Sequence, residues 1–131
     1  MKLFYYKDPK GNFGDDLNPW LFNNICPDLL DNNSDDLLIG VGTLLNHRVP
    51  KNAAISVFGS GFGYGELPET YTNWHFYCVR GPRTAAAFGL DASLAITDPA
   101  VLASIYFRED FSKEYSVSFI PHHYSANFGD W

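Results

Sequence analysis

At 131 residues the chain is long enough for one domain with a substantial core and too short for two. Charged residues make up 18% against 46% hydrophobic and 17% aromatic, fewer charges than the roughly 25% usual in a soluble domain, which fits a surface partly given over to a ligand or partner. A net charge of −6 and a pI near 4.9 argue against a nucleic-acid binder, which needs clustered lysines and arginines to displace counterions, but leave room for an anionic small molecule held by a few local donors.

In chain order, short apolar runs alternate with capped helical segments. KLFYY, residues 2 to 6, reads as a first strand, and GNFGDDLNPW, residues 11 to 20, turns it into a helix. Leu17, Trp20, Leu21 and Ile25 fall at helical spacing, and Asn18 followed by Pro19 predicts the N-cap and first turn. DDLLIGVG, residues 35 to 42, predicts a second strand, after which Thr43 is expected to cap a short helical turn through Leu44 and Leu45. AAISVFG, residues 53 to 59, is apolar enough on both faces for a central third strand.

The glycine and turn-former stretch GSGFGYGELPETYTN, residues 59 to 73, has no helical period and predicts an unusually long loop of the kind that carries function. HFYCV, residues 75 to 79, is a fourth strand, and PRTAAAF, residues 82 to 88, is a helix closed by Gly89. SLAIT, residues 93 to 97, predicts a fifth strand, Asp98 and Pro99 open a helix AVLASIYF, and YSVSFIPHH, residues 115 to 123, predicts a sixth. The whole chain, 1–131, therefore reads as a single α/β domain with a Rossmann-like, doubly wound and mainly parallel sheet of about six strands. In such a sheet ligands collect beyond the carboxyl ends of the strands.

What stands at those ends is NFGDD, GVGT, GSGFGYG, VRGPRT, TDPA and PHHYS, so Asn12, Gly14, Thr43, Gly61, Arg80, Arg83 and His123 are candidate ligand contacts. GSGFGYG is not read as a dinucleotide fingerprint, because it follows the third strand and runs toward Pro68 rather than into a helix. In VRGPRT, Arg80 at a strand end and Arg83 at a helix start offer two guanidinium forks to a carboxylate or phosphate. The structural alternative is an ion pair between Arg80 and Asp98 that only ties the sheet together.

NFGDD places two carboxylates, Asp15 and Asp16, at the mouth of the first strand. Capping accounts for one of them; a second is available to bind sugar hydroxyls or to act as a general base. His122 and His123 fall on opposite faces if the last strand continues, so at most one faces the crevice, where it could exchange a proton at neutral pH. No carboxylate or cysteine lies at ligand spacing from the pair, so no metal is expected there. Cys26 and Cys78 sit in apolar runs and read as buried free thiols. MKLFYYKDP reads as too short and too soon broken for a signal peptide, and no run approaches the ~18 apolar residues of a membrane span, so the expected location is cytoplasmic.

Taken in order, MKLFYYKDPKGNFGDDLN, IGVGTLL, VFGSGFG, VRGPRTAAAFGL, ITDPAVL and FIPHHYS resemble the polysaccharide pyruvyl transferase family, and within it the enzymes that add ketal pyruvate to bacterial exopolysaccharides such as succinoglycan. The resemblance covers the whole chain but only the N-terminal lobe of the family's full members, and it implies a two-lobed architecture like that of the GT-B glycosyltransferases. The implied donor is phosphoenolpyruvate, as a substrate and with no cofactor, and the implied acceptor is a sugar, free or lipid-linked, that offers two hydroxyls. Asp15, Asp16 and His122 would carry the acid and base chemistry, and Arg80 would line the donor site. A chain without its second lobe is expected not to turn over alone. Implied partners are a C-terminal lobe or a second copy of the chain, with a peripheral place at the inner membrane if the acceptor is lipid-linked. The alternatives from other classes are a non-catalytic carbohydrate-binding or regulatory module and a GT-B-type glycosyltransferase lobe using a nucleotide sugar.

Overall fold

A computed structural model describes residues 1–107, 112, 114–119 and 125–129. Four strands, β1 (Lys2–Phe4), β2 (Asp36–Ile39), β3 (Ala54–Phe58) and β4 (Trp74–Cys78), form one sheet in the order β1-β2-β3-β4. Every neighbouring pair is parallel, with Leu3 opposite Leu38, Leu38 opposite Ser56 and Val57 opposite Phe76. All four carboxyl ends therefore point the same way, as the alternation of elements predicts.

The two faces of the sheet bury separate cores, set by the period-two alternation of strand side chains. Leu37, Ile39, Ile55 and Val57 join Leu44, Leu45, Val79, Ala85 and Phe88 on one side. Leu38 and Val41 join Leu21 and Phe22 on the other, where Leu17, Ile25, Phe58 and Leu102 pack around them. Helix α1 (Phe13–Ile25) covers this second face, while α2 (Pro82–Ala87) and the segment after β2 cover the first. The described strands progress in chain order without the reversal that a doubly wound sheet shows.

Helix α1 starts six residues earlier than the Asn18-Pro19 signal predicts. Asn12 is the N-cap, its side chain accepting from the Gly14 amide at 3.2 Å, and Asp16 reaches back to accept from the Asn12 amide at 3.1 Å. Pro19 thus lies inside the helix, where it cannot donate to the carbonyl of Asp15. Asn18 supplies the missing donor: its Nδ2 bonds to the Asp15 carbonyl at 3.0 Å and to the Val41 carbonyl at 3.0 Å, while its Oδ1 accepts from the Val41 amide at 2.8 Å. Wholly buried, Asn18 stitches α1 to the residue just beyond β2. Gly40 permits the approach, since a Cβ there would collide with the Phe22 ring.

Three further expectations need correction. Thr43 caps no helix; the segment after β2 is irregular, and the threonine is engaged elsewhere. The fifth strand shrinks to one parallel bridge between Val79 and Ala95, because Asp91 caps a 3-10 turn over Ala92–Leu94 through the Ser93 amide at 2.8 Å and so removes the first half of SLAIT from the ladder. Residues 115–119 of the sixth expected strand form no strand among the described residues, and its remainder lies outside them. Asp98 does cap its helical segment, as expected, through the Ala100 amide at 2.9 Å, and α3 (Ala103–Tyr106) continues from that 3-10 start. Gly89, at φ +63°, closes α2 in the left-handed conformation; the Leu90 amide bonds to Ala85 at 2.9 Å and the Gly89 amide to Ala86 at 3.2 Å.

Cys26 is half-buried and Cys78 buried, both as free thiols, and burial pushes both above the ordinary thiol value. Among the described residues no helix is long and apolar enough to cross a membrane.

Candidate functional site

A cavity of about 810 Å³ opens beyond the carboxyl ends of β1 and β2. It is lined by Asn12, Gly14 and Asp15 from the start of α1, by Gly42 and Thr43 after β2, by Tyr6, Asn46 and Arg48, and by Tyr64 of the long loop. Four of the sequence-predicted residues, Asn12, Gly14, Asp15 and Thr43, are brought together here.

The two carboxylates divide their work. Asp16 is exposed and spends an oxygen on the Asn12 amide, which is capping. Asp15, half-buried, points to the cavity and is held by Nδ2 of Asn12 at 2.7 Å. Gly42, at φ +115°, leaves it room: a Cβ there would stand 3.0 Å from Oδ1 of Asp15.

The VRGPRT segment reaches the cavity indirectly. The Arg80 guanidinium donates to Oγ1 of Thr43 at 2.7 Å and lies over Gly61, whose absent Cβ would come within 2.5 Å of the guanidinium carbon. The alternative ion pair with Asp98 is not formed; that carboxylate caps the Ala100 amide instead. Neither Arg80 nor Gly61 lines the cavity, and Arg83 is exposed outside it. His122 and His123 lie outside the described residues.

Backbone bonds weave the loops after β2 and β3 into one layer beneath the site. The Gly61 amide donates to Gly42 at 2.9 Å and the Leu45 amide to Gly61 at 3.1 Å, while the buried Ser60 hydroxyl donates to the Gly42 carbonyl at 3.1 Å. His47 holds the rim: its amide donates to the Glu66 carbonyl at 2.9 Å and its Nδ1 accepts from the Glu66 amide at 3.2 Å.

The sequence reading missed Tyr6, Asn46 and Arg48. The Tyr6 hydroxyl donates to Oδ1 of Asn46 at 3.1 Å, and the same oxygen accepts from the Arg48 amide at 3.0 Å. Burial pushes the Tyr6 hydroxyl above the usual tyrosine value; the Arg48 charge and the Asn46 bond oppose the shift, and the Asp15 charge adds to it. The position of Tyr6 at the end of the first strand was the one available signal. Asn46 and Arg48 follow Leu45 with no spacing that marks them.

Fold and site together define a parallel α/β domain that presents a carboxylate, amides and exposed aromatic rings to a polar crevice at its strand ends. The chain is 44% identical, over its whole length, to the succinoglycan biosynthesis protein ExoV of Rhizobium meliloti. The likeness to a succinoglycan-type protein that the motif order implies is thereby borne out. The chain spans less than half of that relative, 43% of its length. No family model matches the chain, and no solved structure does.

Proposed function

We propose that the chain is the sugar-facing, N-terminal lobe of a GT-B-like ketal pyruvyl transferase of exopolysaccharide assembly, with phosphoenolpyruvate as donor and two hydroxyls of one sugar as acceptor. The observation that carries the reading is the Asp15 carboxylate, fixed by Asn12 at a cavity that two exposed rings also line, Phe13 at 83% and Tyr64 at 63% exposure. Carboxylates and amides bind hydroxyls, and aromatic rings offer apolar faces to a sugar's C–H surface. Similarity to a succinoglycan biosynthesis protein supports a saccharide as the acceptor class.

In the reaction an acid protonates the enol carbon of phosphoenolpyruvate, which leaves a cationic C2. One sugar hydroxyl attacks C2 as its proton passes to a base; phosphate departs with its bonding pair; the second hydroxyl then closes the ketal and releases its proton. Asp15 takes the part of base toward the acceptor hydroxyl. His122 takes the part of acid, while Thr43, braced by Arg80, belongs to the donor side together with His123.

The test is direct. The protein at its native length, mixed with phosphoenolpyruvate and a glucose- or galactose-containing oligosaccharide, should release one phosphate for each ketal pyruvate formed. Sugar binding without phosphate release would replace this reading with a carbohydrate-binding module, and turnover of a nucleotide sugar instead would make the lobe part of a glycosyltransferase.

A further inference from the structure

Four charged residues line the cavity, Lys7, Asp8, Asp15 and Arg48, and the proposed function uses only Asp15. Asp15 belongs to the acceptor side. Arg48 lines the same cavity and leaves its side chain uncommitted among the described residues, since its bond to Asn46 is made through the backbone amide. Asn46 is 96% buried by its 4% exposure, lines the cavity and uses Oδ1 twice, so its Nδ2 donor makes no bond to the described residues. The Tyr6 hydroxyl donates to Oδ1 of Asn46 and so fixes the orientation of that amide. The Arg48 guanidinium and the Asn46 amide N–H, on two residues that line one cavity, match the oxygens of an anion, for which a planar arginine fork is the preferred partner.

We propose that Arg48 and Asn46, the latter positioned by Tyr6, form an oxyanion subsite that takes a phosphoryl or carboxylate group in the cavity that Asp15 also lines. This deepens the proposed function and rests on it for the ligand's identity: one cavity would then sort a neutral polyol toward Asp15 and an anionic group toward Arg48. The separation is electrostatic, because an anion beside Asp15 would be repelled and a hydroxyl needs no cation. Asp8 and Lys7 also line the cavity and largely offset one another in charge, so Arg48 sets the local preference.

Calorimetric titration of the native-length protein with inorganic phosphate, phosphoenolpyruvate, pyruvate and glucose tests the assignment. Arg48→Ala should weaken phosphate and phosphoenolpyruvate by roughly tenfold or more, the usual weight of a charge-assisted bond, and leave glucose unchanged. Tyr6→Phe should weaken the same anions by a smaller factor. Because the Arg48 side chain is exposed and its amide bond survives truncation, the melting temperature of Arg48→Ala should equal that of the parent. Loss confined to phosphate and phosphoenolpyruvate assigns the subsite to a phosphoryl group, and equal loss for pyruvate assigns it to a carboxylate. Unaltered anion affinity in Arg48→Ala, or an equal loss for glucose, overturns the subsite. Anion binding is read without turnover, so failure of the pyruvyl-transfer assay with Arg48-dependent binding intact defeats the reaction and keeps the subsite.

Discussion

The NFGDD and VRGPRT turns look alike in sequence, each a glycine-bearing strand end with two like charges, yet they meet the cavity differently. In the first, Asp16 accepts from the Asn12 amide, while Asp15, held by Nδ2 of Asn12, lines the cavity. In the second, Arg80 is spent on Thr43 and on the space above Gly61, and Arg83 faces outward, so the cations act one residue removed from the cavity. The lesson is that a charge at a strand end becomes available to a ligand only after the local backbone and neighbouring side chains have taken their share.

The strongest way to break this contrast is at Asn18, which holds the NFGDD turn to the sheet. Asn18→Ala should cost about 3 kcal/mol, because it leaves the buried amide and carbonyl of Val41 and the Asp15 carbonyl without their partner; denaturant unfolding would measure it. A change under about 0.5 kcal/mol would mean that water replaces the amide and that the stitch contributes little. On the other turn, Gly61→Ala should cost about 1 to 3 kcal/mol by driving the guanidinium off Thr43. Arg80→Ala in the same background should then add almost nothing, and a double-mutant cycle reads the coupling directly.

The finest discrimination lies within NFGDD. Asp15→Asn should lower saccharide affinity or turnover by about tenfold or more, whereas Asp16→Asn should leave both alone and change stability by no more than about 0.5 kcal/mol, since an asparagine oxygen at 16 can still accept from the Asn12 amide. Equal effects at the two positions would erase the division of labour between them.

Much of this was legible in the chain before any coordinates. Strand-forming runs from KLFYY to HFYCV, joined by caps and glycine turns, imply a parallel sheet with its ligand crevice at the strand ends, and NFGDD falls there. The start of α1 was misplaced because Asn18-Pro19 is the stronger local signal, whereas tertiary packing uses Asn18 to repair the bond that Pro19 removes. SLAIT has the composition of a strand, but the Asp91 cap upstream claims its first residues for a turn. Asn46 and Arg48 carry no motif, and only the fold of the segment after β2 brings them to the cavity that Asp15 lines.

Pro19 has one more consequence. By removing a helical bond it frees the Asp15 carbonyl for the same side-chain amide that clamps both backbone groups of Val41. The first turn of α1 and the cavity-lining segment after β2 thus share a single fastener, so a displacement of one is a displacement of the other. An acid set on such a mount does not need to be ordered by its ligand, and association avoids the entropy that a loose loop would lose.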